Sequence, residues 1–252
     1  MRPSPSAGSP APTRRARQRA AAIEEIKALA RRQLAEQGPG ALSLRAIARE
    51  MGTAPSALYR YFPSHSDLVT VLCVEAYDSV AAALISARDA QPPDDHIRQW
   101  LAICQAYRRW SLGNRSDFAL IFGTPLPGYE APAEVTAAAA GRSIGVAADV
   151  FAAAVRAGAA DPSRAQVPAD LAAGALSGAL LGDRSPACPP RLAGIVLSAW
   201  ASLLGYLVAE IFGSLPRLIS DTGRLYQAHV RTVMLGMGFE PALVESPAHG
   251  EG

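Results

Sequence analysis

Metal and disulfide chemistry have little to work with in this sequence. Its three cysteines, Cys73, Cys104 and Cys188, are odd in number and far apart, with no C-x-x-C pair, and the four histidines, His65, His96, His229 and His249, stand apart from one another. A disulfide framework needs paired thiols and a zinc site needs clustered donors, so no metal and no cofactor is expected. The cysteines read instead as small buried hydrophobes, which fits a reducing compartment. Catalytic signatures are missing as well: there is no G-x-S-x-G, no H-E-x-x-H, no P-loop and no glycine-rich turn behind a strand. Glu24-Glu25 and Asp94-Asp95 are adjacent pairs that point apart on a helix, and they read as caps or dipole partners rather than as a catalytic dyad. The chain is therefore read as no enzyme.

Regular period-2 runs of Val, Ile and Thr are absent too, which argues against sheet. Half of the 252 residues are hydrophobic, with Ala, Leu and Arg prominent, and the expected class is all-α. The opening MRPSPSAGSPAPTRR carries basic residues without an apolar stretch behind them, so it does not read as a secretory signal, and a cytoplasmic protein is expected. One segment is long enough to raise the question of a membrane. Leu192 to Ala209 runs 18 residues without a charge, just the length at which a spanning helix becomes arguable. Ser198, Ser202 and Gly205 dilute it and Glu210 ends it, so it reads as a helix covered on both sides in a protein core or a dimer interface, and no membrane partner is expected.

Charge is unevenly placed. The net +2 divides into +7 over residues 1 to 65, with eleven Lys and Arg against four acids, and −5 over the remainder. A polyanion is the natural partner of such a segment.

The same segment carries the most pointed pattern in the chain. Residues 1 to 16, rich in Pro, Ser, Ala and Gly, read as a disordered arm that turns basic at Arg14 and Arg15. Apolar positions at Ile23, Ile26, Leu29, Ala30 and Leu34 give a helix from about Arg17 to Gln37, stopped by Gly38-Pro39-Gly40. Ser43 caps a second helix that ends at Gly52, and Pro55 opens a short third one that Pro63 stops. Two short helices around a tight turn form a helix-turn-helix, whose second helix suits the major groove of DNA. Leu58 and Phe62 are expected to face a small core with Ile47 and Leu29, leaving Pro55, Ser56, Tyr59 and Arg60 outward. Tyr59, Arg60 and Tyr61 have the chemistry for phosphates, Arg45 has the reach for a guanine edge, and Thr53, Ala54, Pro55 and Ser56 offer hydroxyl or methyl contacts. The partner is double-stranded DNA on this reading.

These residues resemble a known family. L-S-L-R-A-I-A-R-E-M-G followed by L-Y-R-Y-F-P-S looks like the N-terminal domain of TetR-family transcriptional regulators, and the spacing from Leu42 through Phe62 matches without a gap. His65 departs from it, standing where the family commonly places a Lys that touches phosphate. In the body, FGTPLPGYEAP from Phe122 and WASLLGYLVAEIFG from Trp200 resemble the subgroup named for a W-x-x-x-H-G motif; Trp200, Gly205, Glu210, Phe212 and Gly213 match, and Leu204 replaces the His. The resemblance implies a repressor that is a homodimer, built by helices at about 190 to 213 and 220 to 237, with Trp200, Leu203, Leu204, Leu207, Phe212, Tyr226 and Val230 at the seam.

Residues 66 to 239 form the larger helical domain, with further helices expected at about 66 to 87, 133 to 158 and 168 to 182, and a frayed tail over 240 to 252. Trp100, Cys104, Tyr107, Phe118, Phe122 and Tyr129 could line an apolar pocket for an unknown small-molecule effector, or serve as ordinary core. The two alternatives to a DNA-binding regulator are an α-helical small-molecule-binding protein and an enzyme, neither with specific operator binding.

Overall fold

Short polar side chains set where the helices begin. The computed structural model of the protein describes residues 13–38, 40, 42–123, 128–168 and 189–245. Thr13 accepts from the Ala16 amide at 3.2 Å and starts α1 (Arg14–Gln37). Ser43 does the same for Ala46 at the head of α2 (Leu44–Glu50), and Pro55, with φ preset, opens α3 (Pro55–Leu58). Ser64 and Asp67 form a reciprocal box before α4 (His65–Asp89): the Asp67 carboxylate takes the Ser64 amide at 2.8 Å, and the Ser64 hydroxyl takes the Asp67 amide at 3.1 Å. Asp95 caps α5 (His96–Gly113). Next come α6 (Arg115–Phe122), α7 (Ala133–Arg156) and α8 (Pro190–Ile211). Asp221 caps α9 (Thr222–Met237), and α10 (Pro241–Glu245) follows. The described residues contain no strand, only an isolated antiparallel bridge between Ala160 and Phe239. The class is all-α, as the periodicity predicts.

The chain divides into two compact units, residues 1–68 and 69–252. In the first, Ile26, Ala30 and Leu34 of α1 are buried, as are Leu44, Ile47 and Ala48 of α2, and Leu58 and Phe62. Leu29, expected among them, is only half-buried. In the second, a continuous core gathers Leu84 of α4, Trp100, Cys104 and Tyr107 of α5, Phe118 of α6, Phe151 of α7, Trp200, Leu203 and Leu207 of α8, and Tyr226, Val230 and Met234 of α9. The ends of α7 and α9 are clasped by backbone: Asp161 donates to the Gly238 carbonyl at 2.8 Å and Glu240 to the Ala159 carbonyl at 3.1 Å.

Several expectations need correction. The basic arm was expected to be disordered through residue 16, but the Thr13 cap carries the helix back to Arg14. Between α5 and α6 the chain breaks at Asn114, whose amide and side chain both turn back to the Trp110 carbonyl. The expected tail fray begins later than residue 240, because α10 buries Val244. The expected helix at about 168–182 lies, beyond its first residue, outside the described residues, as do Cys188, arm residues 1–12, turn residues 124–127 and tail residues 246–252. By length and composition α4, α7 and α8 could each cross a membrane, yet 44, 56 and 44% of their apolar windows are buried within the protein.

Candidate nucleic-acid interface and effector cavity

A tight turn over residues 51–54 aims the edge of the first unit. At the end of α2, Thr53 donates to the Ala48 carbonyl at 3.0 Å and Gly52 to the Arg49 carbonyl at 3.2 Å, a six-residue closure that requires Gly52 at φ +64. The chain then re-enters helix at Pro55. None of the nine candidate DNA-contacting residues is buried. Arg45, Ala54, Pro55, Ser56, Tyr59 and Arg60 are exposed, and Thr53, Tyr61 and His65 are half-buried. His65 occupies the first turn of α4, beside the Ser64 box, where helix amides favour an anion.

Sequence reasoning missed one link in this unit. The Arg19 guanidinium lies 5.4 Å over the Tyr61 ring, so α1 steadies the phenol while leaving Arg19 beside it. Arg19 lies within the expected first helix, but no local pattern ties it to Tyr61. Gln33, buried in α1, accepts from the Ser43 amide at 3.1 Å, and Arg32 pairs with Glu50. Both join α1 to α2.

In the second unit the candidate pocket residues form two adjoining groups, joined where the Tyr107 ring meets Phe122 edge-on with centroids 6.3 Å apart. Trp100, Cys104 and Tyr107, at i, i+4 and i+7 on α5, line a cavity with Leu84, Ile103, Ala147, Trp200 and Leu203. Its accessible volume is only about 10 Å³, so these aromatics are packed core as found, not an open pocket. Tyr107 stacks on Trp200 with centroids 4.5 Å apart. Phe118, Phe122 and Tyr129 belong to a second cluster: the Phe122 ring meets Tyr77 edge-on at 6.0 Å, and Tyr129 shares a 3.1 Å hydrogen bond with Thr70. Thr70, Cys73 and Tyr77 were not anticipated, although their i, i+3, i+7 spacing on α4 was readable beside the apolar stripe. Burial pushes the Cys73 thiol up to about 11, despite a lowering contribution from Tyr129, and pushes Tyr77 up to about 12. Burial also raises Cys104. Both thiols stay protonated at neutral pH and are poor nucleophiles.

The expected dimer seam also needs correction. Trp200, Leu203, Leu207, Tyr226 and Val230 are buried in the core of their own chain, between 0 and 9% exposed, and so offer no surface to a partner. Phe212 is 53% exposed and Leu204 half-buried. The open face belongs instead to Leu197, Ser198, Ala201, Ser202 and Gly205 of α8 and to Leu225, Ala228, Thr232 and Leu235 of α9. A groove of about 240 Å³ runs there between Ser198, Ser202, His229, Thr232 and Gly236. Behind it, Arg108 of α5 grips Glu210 of α8 with two nitrogens at 2.9 and 2.6 Å. Burial alone would lift the Glu210 carboxyl, but the Arg108 fork and the Thr222 hydroxyl bring it below its ordinary value. The ion pair fixes α5 against α8.

Known proteins resemble both units. Residues 26–72 match the bacterial regulatory proteins of the tetR family, and residues 100–233 match the tetracyclin repressor-like C-terminal domain. An HTH-type transcriptional regulator of Mycobacterium tuberculosis is 34% identical over 221 residues, 84% of this chain and 92% of that protein, and a Mycobacterium bovis regulator matches equally. The crystal structure of SCO4313, assigned as a regulatory protein, superposes with a TM-score of 0.68 at 33% identity over 88% of this chain and 99% of that one. A tetR-family regulatory protein from Rhodococcus RHA1 shares the fold at 18% identity, with a TM-score of 0.59 over 87 and 98% of the two chains.

Proposed function

Because the chain belongs to the tetR family of bacterial regulatory proteins and is a transcriptional regulator, we propose that it is a cytoplasmic homodimeric repressor that leaves a palindromic operator when a small molecule binds the body. The observation that carries the reading is the first unit's basic excess combined with the exposure of Arg45, Ala54 to Ser56, Tyr59 and Arg60 along one turn and helix. Arg45 and the Thr53 to Ser56 edge read bases; Tyr59, Arg60, Tyr61 and His65 hold phosphates. Residues 17–65, together with Arg14 to Ala16, form the DNA-binding domain, and residues 66–239 the effector and dimer domain.

The open face of α8 and α9 supports the dimer. Small residues along it, Ala201, Ser202 and Gly205 opposite Ala228 and Thr232, let two copies approach closely, and the self-complementary patch suits two-fold symmetry. Trp200, Gly205, Glu210, Phe212 and Gly213 support placing the body in the subgroup named for W-x-x-x-H-G, with Leu204 in the position of the His.

Footprinting on the DNA that flanks the reading frame tests the proposal. The expected result is two protected half-sites whose centres are about one helical turn apart, or a multiple of it, related by an inverted repeat. Protection without any discrete boundary would contradict it.

A further inference from the structure

In the first unit one arginine is held in place without a counter-charge. The Arg19 guanidinium of α1 stands 5.4 Å from the centre of the Tyr61 ring, within the range at which the face of an aromatic ring holds a cation. Among the described residues no carboxylate pairs with Arg19: Glu24 is taken by Lys27 and Glu50 by Arg32. The ring beneath it is set by the turn that follows α3. There the Tyr61 amide donates to the Leu58 carbonyl at 2.8 Å and the Phe62 amide to the same carbonyl at 3.0 Å, with Phe62 buried. Tyr61 is half-buried and Arg19 exposed.

Such a pair has the chemistry of a phosphate receptor. A cation–ring contact consumes none of the five N–H donors of a guanidinium, and the phenol keeps its own O–H. An anionic oxygen accepts from both, and bonds of this kind are strengthened by the charge. Holding the arginine in place beforehand removes part of the ordering cost that a free side chain meets on binding. DNA is the phosphate source that the unit favours, because Tyr61 comes two residues after the exposed Tyr59 and the unit carries the basic excess of the chain.

The basic start of α1 is also sided. At 3.6 residues per turn Arg17 lies about 200° round the helix from Arg19, on the opposite side from Tyr61, although both arginines are exposed. Arg19 precedes residue 26, where the match to the tetR-family domain begins, so it lies outside the segment shared with the family model. Building on the DNA-binding reading above, we propose that Arg19 and Tyr61 together grip one DNA phosphate, and that α1 thereby extends the protein's hold on the backbone beyond the helix-turn-helix.

Anisotropy titrations of the full chain with its flanking DNA and with random duplex, across salt concentration, test this. Arg19→Ala is expected to weaken both duplexes about tenfold. It should also make the slope of log K against log salt shallower by about 2, one phosphate from each protomer of a dimer at about 0.9 each. Arg17→Ala removes the same charge from the other side of the helix and is expected to change affinity less than about twofold. Equal losses from the two would mean a diffuse basic field and overturn the proposal. A lowered melting temperature with an unchanged slope in Arg19→Ala would assign Arg19 to structure alone and overturn it too. Tyr61→Leu removes the ring that holds the guanidinium, so the double variant should lose about threefold less than the product of the single losses; independent losses overturn the pairing. Tyr61→Phe keeps the ring, and in that background Arg19→Ala should flatten the slope by the same amount. Wild-type preference for flanking over random DNA is read in the same titrations. With that preference present, an unchanged slope in Arg19→Ala sinks this inference alone; without it the regulator reading fails, and the slope on random duplex still decides whether Arg19 stands at a phosphate.

Discussion

Arg45 and Tyr59 are exposed on the same small unit, yet they are expected to fail differently when changed. Arg45 follows the cap of α2 and carries a planar fork that matches the two acceptors of a guanine edge, whereas the Tyr59 phenol offers one hydrogen to a phosphate that every sequence presents. Arg45→Ala is expected to cost about 1–3 kcal/mol on the cognate operator and to relax preference at one position; Tyr59→Phe should weaken every duplex about equally. Affinity measured on a panel of single-base operator variants separates the two, and uniform losses from Arg45→Ala would remove it as a base reader. Individual contacts of this kind were partly legible. Leu58, Phe62 and Ile47 announced their burial through helical spacing. The Arg19–Tyr61 contact did not, because it joins α1 to the chain beyond α3, and no local pattern pairs residues so far apart. Thr70 and Tyr129 meet across 59 residues of sequence, and no local pattern announces such a pair.

Helix ends at Gly52 and Gly238 use the same closure for different ends. Both glycines have positive φ, +64 and +97, but a Cβ on Gly52 would meet open space, while one on Gly238 would stand 2.0 Å from the Asp161 carbonyl oxygen. Gly52→Ala should therefore cost only the left-handed strain, about 1–2 kcal/mol. Gly238→Ala adds a backbone clash that opens the clasp between α7 and α9, and it should cost about 3 kcal/mol or more. Urea unfolding of the two variants gives the comparison; equal losses would contradict the assigned role of Asp161. Most helices were readable from apolar period and stop residues. The break between α5 and α6 was not, since the apolar stripe continues through it and only the Gly113-Asn114 pair marks the turn. Within α8 the helix was legible, and so was its outward side, although the expected seam missed it. The small and polar residues that dilute the uncharged segment, Ser198, Ser202 and Gly205, recur at i, i+4 and i+7 and mark the outward side, and the structure buries Trp200, Leu203 and Leu207 while leaving Leu197, Ala201 and Gly205 open.

For the molecule as a whole, the proposed dimer rests on that open face. Arginine placed among close-packed small residues brings bulk and charge into a seam that has neither, so Ala201→Arg is expected to yield a monomer at micromolar concentration, with helix content unchanged by circular dichroism. Sedimentation equilibrium reads the mass directly, and an undiminished dimer would move the seam elsewhere. The monomer should also bind a single half-site with far lower affinity than the dimer binds both, because the second contact is no longer tethered. The all-α class and the charge asymmetry between the two units were readable from composition alone. The closed state of the aromatic cavity was not, because packing between distant helices leaves no trace in local periodicity.

The central claim is that this chain recognises a particular DNA sequence, and its affinity for its own flanking DNA against random duplex, followed across salt concentration, tests it most directly. If a dimer neutralises about eight phosphates, log K should fall against log salt with a slope of roughly −7, with the flanking DNA remaining at least about a thousandfold preferred throughout. Equal affinity for the two duplexes at every salt concentration would contradict the account.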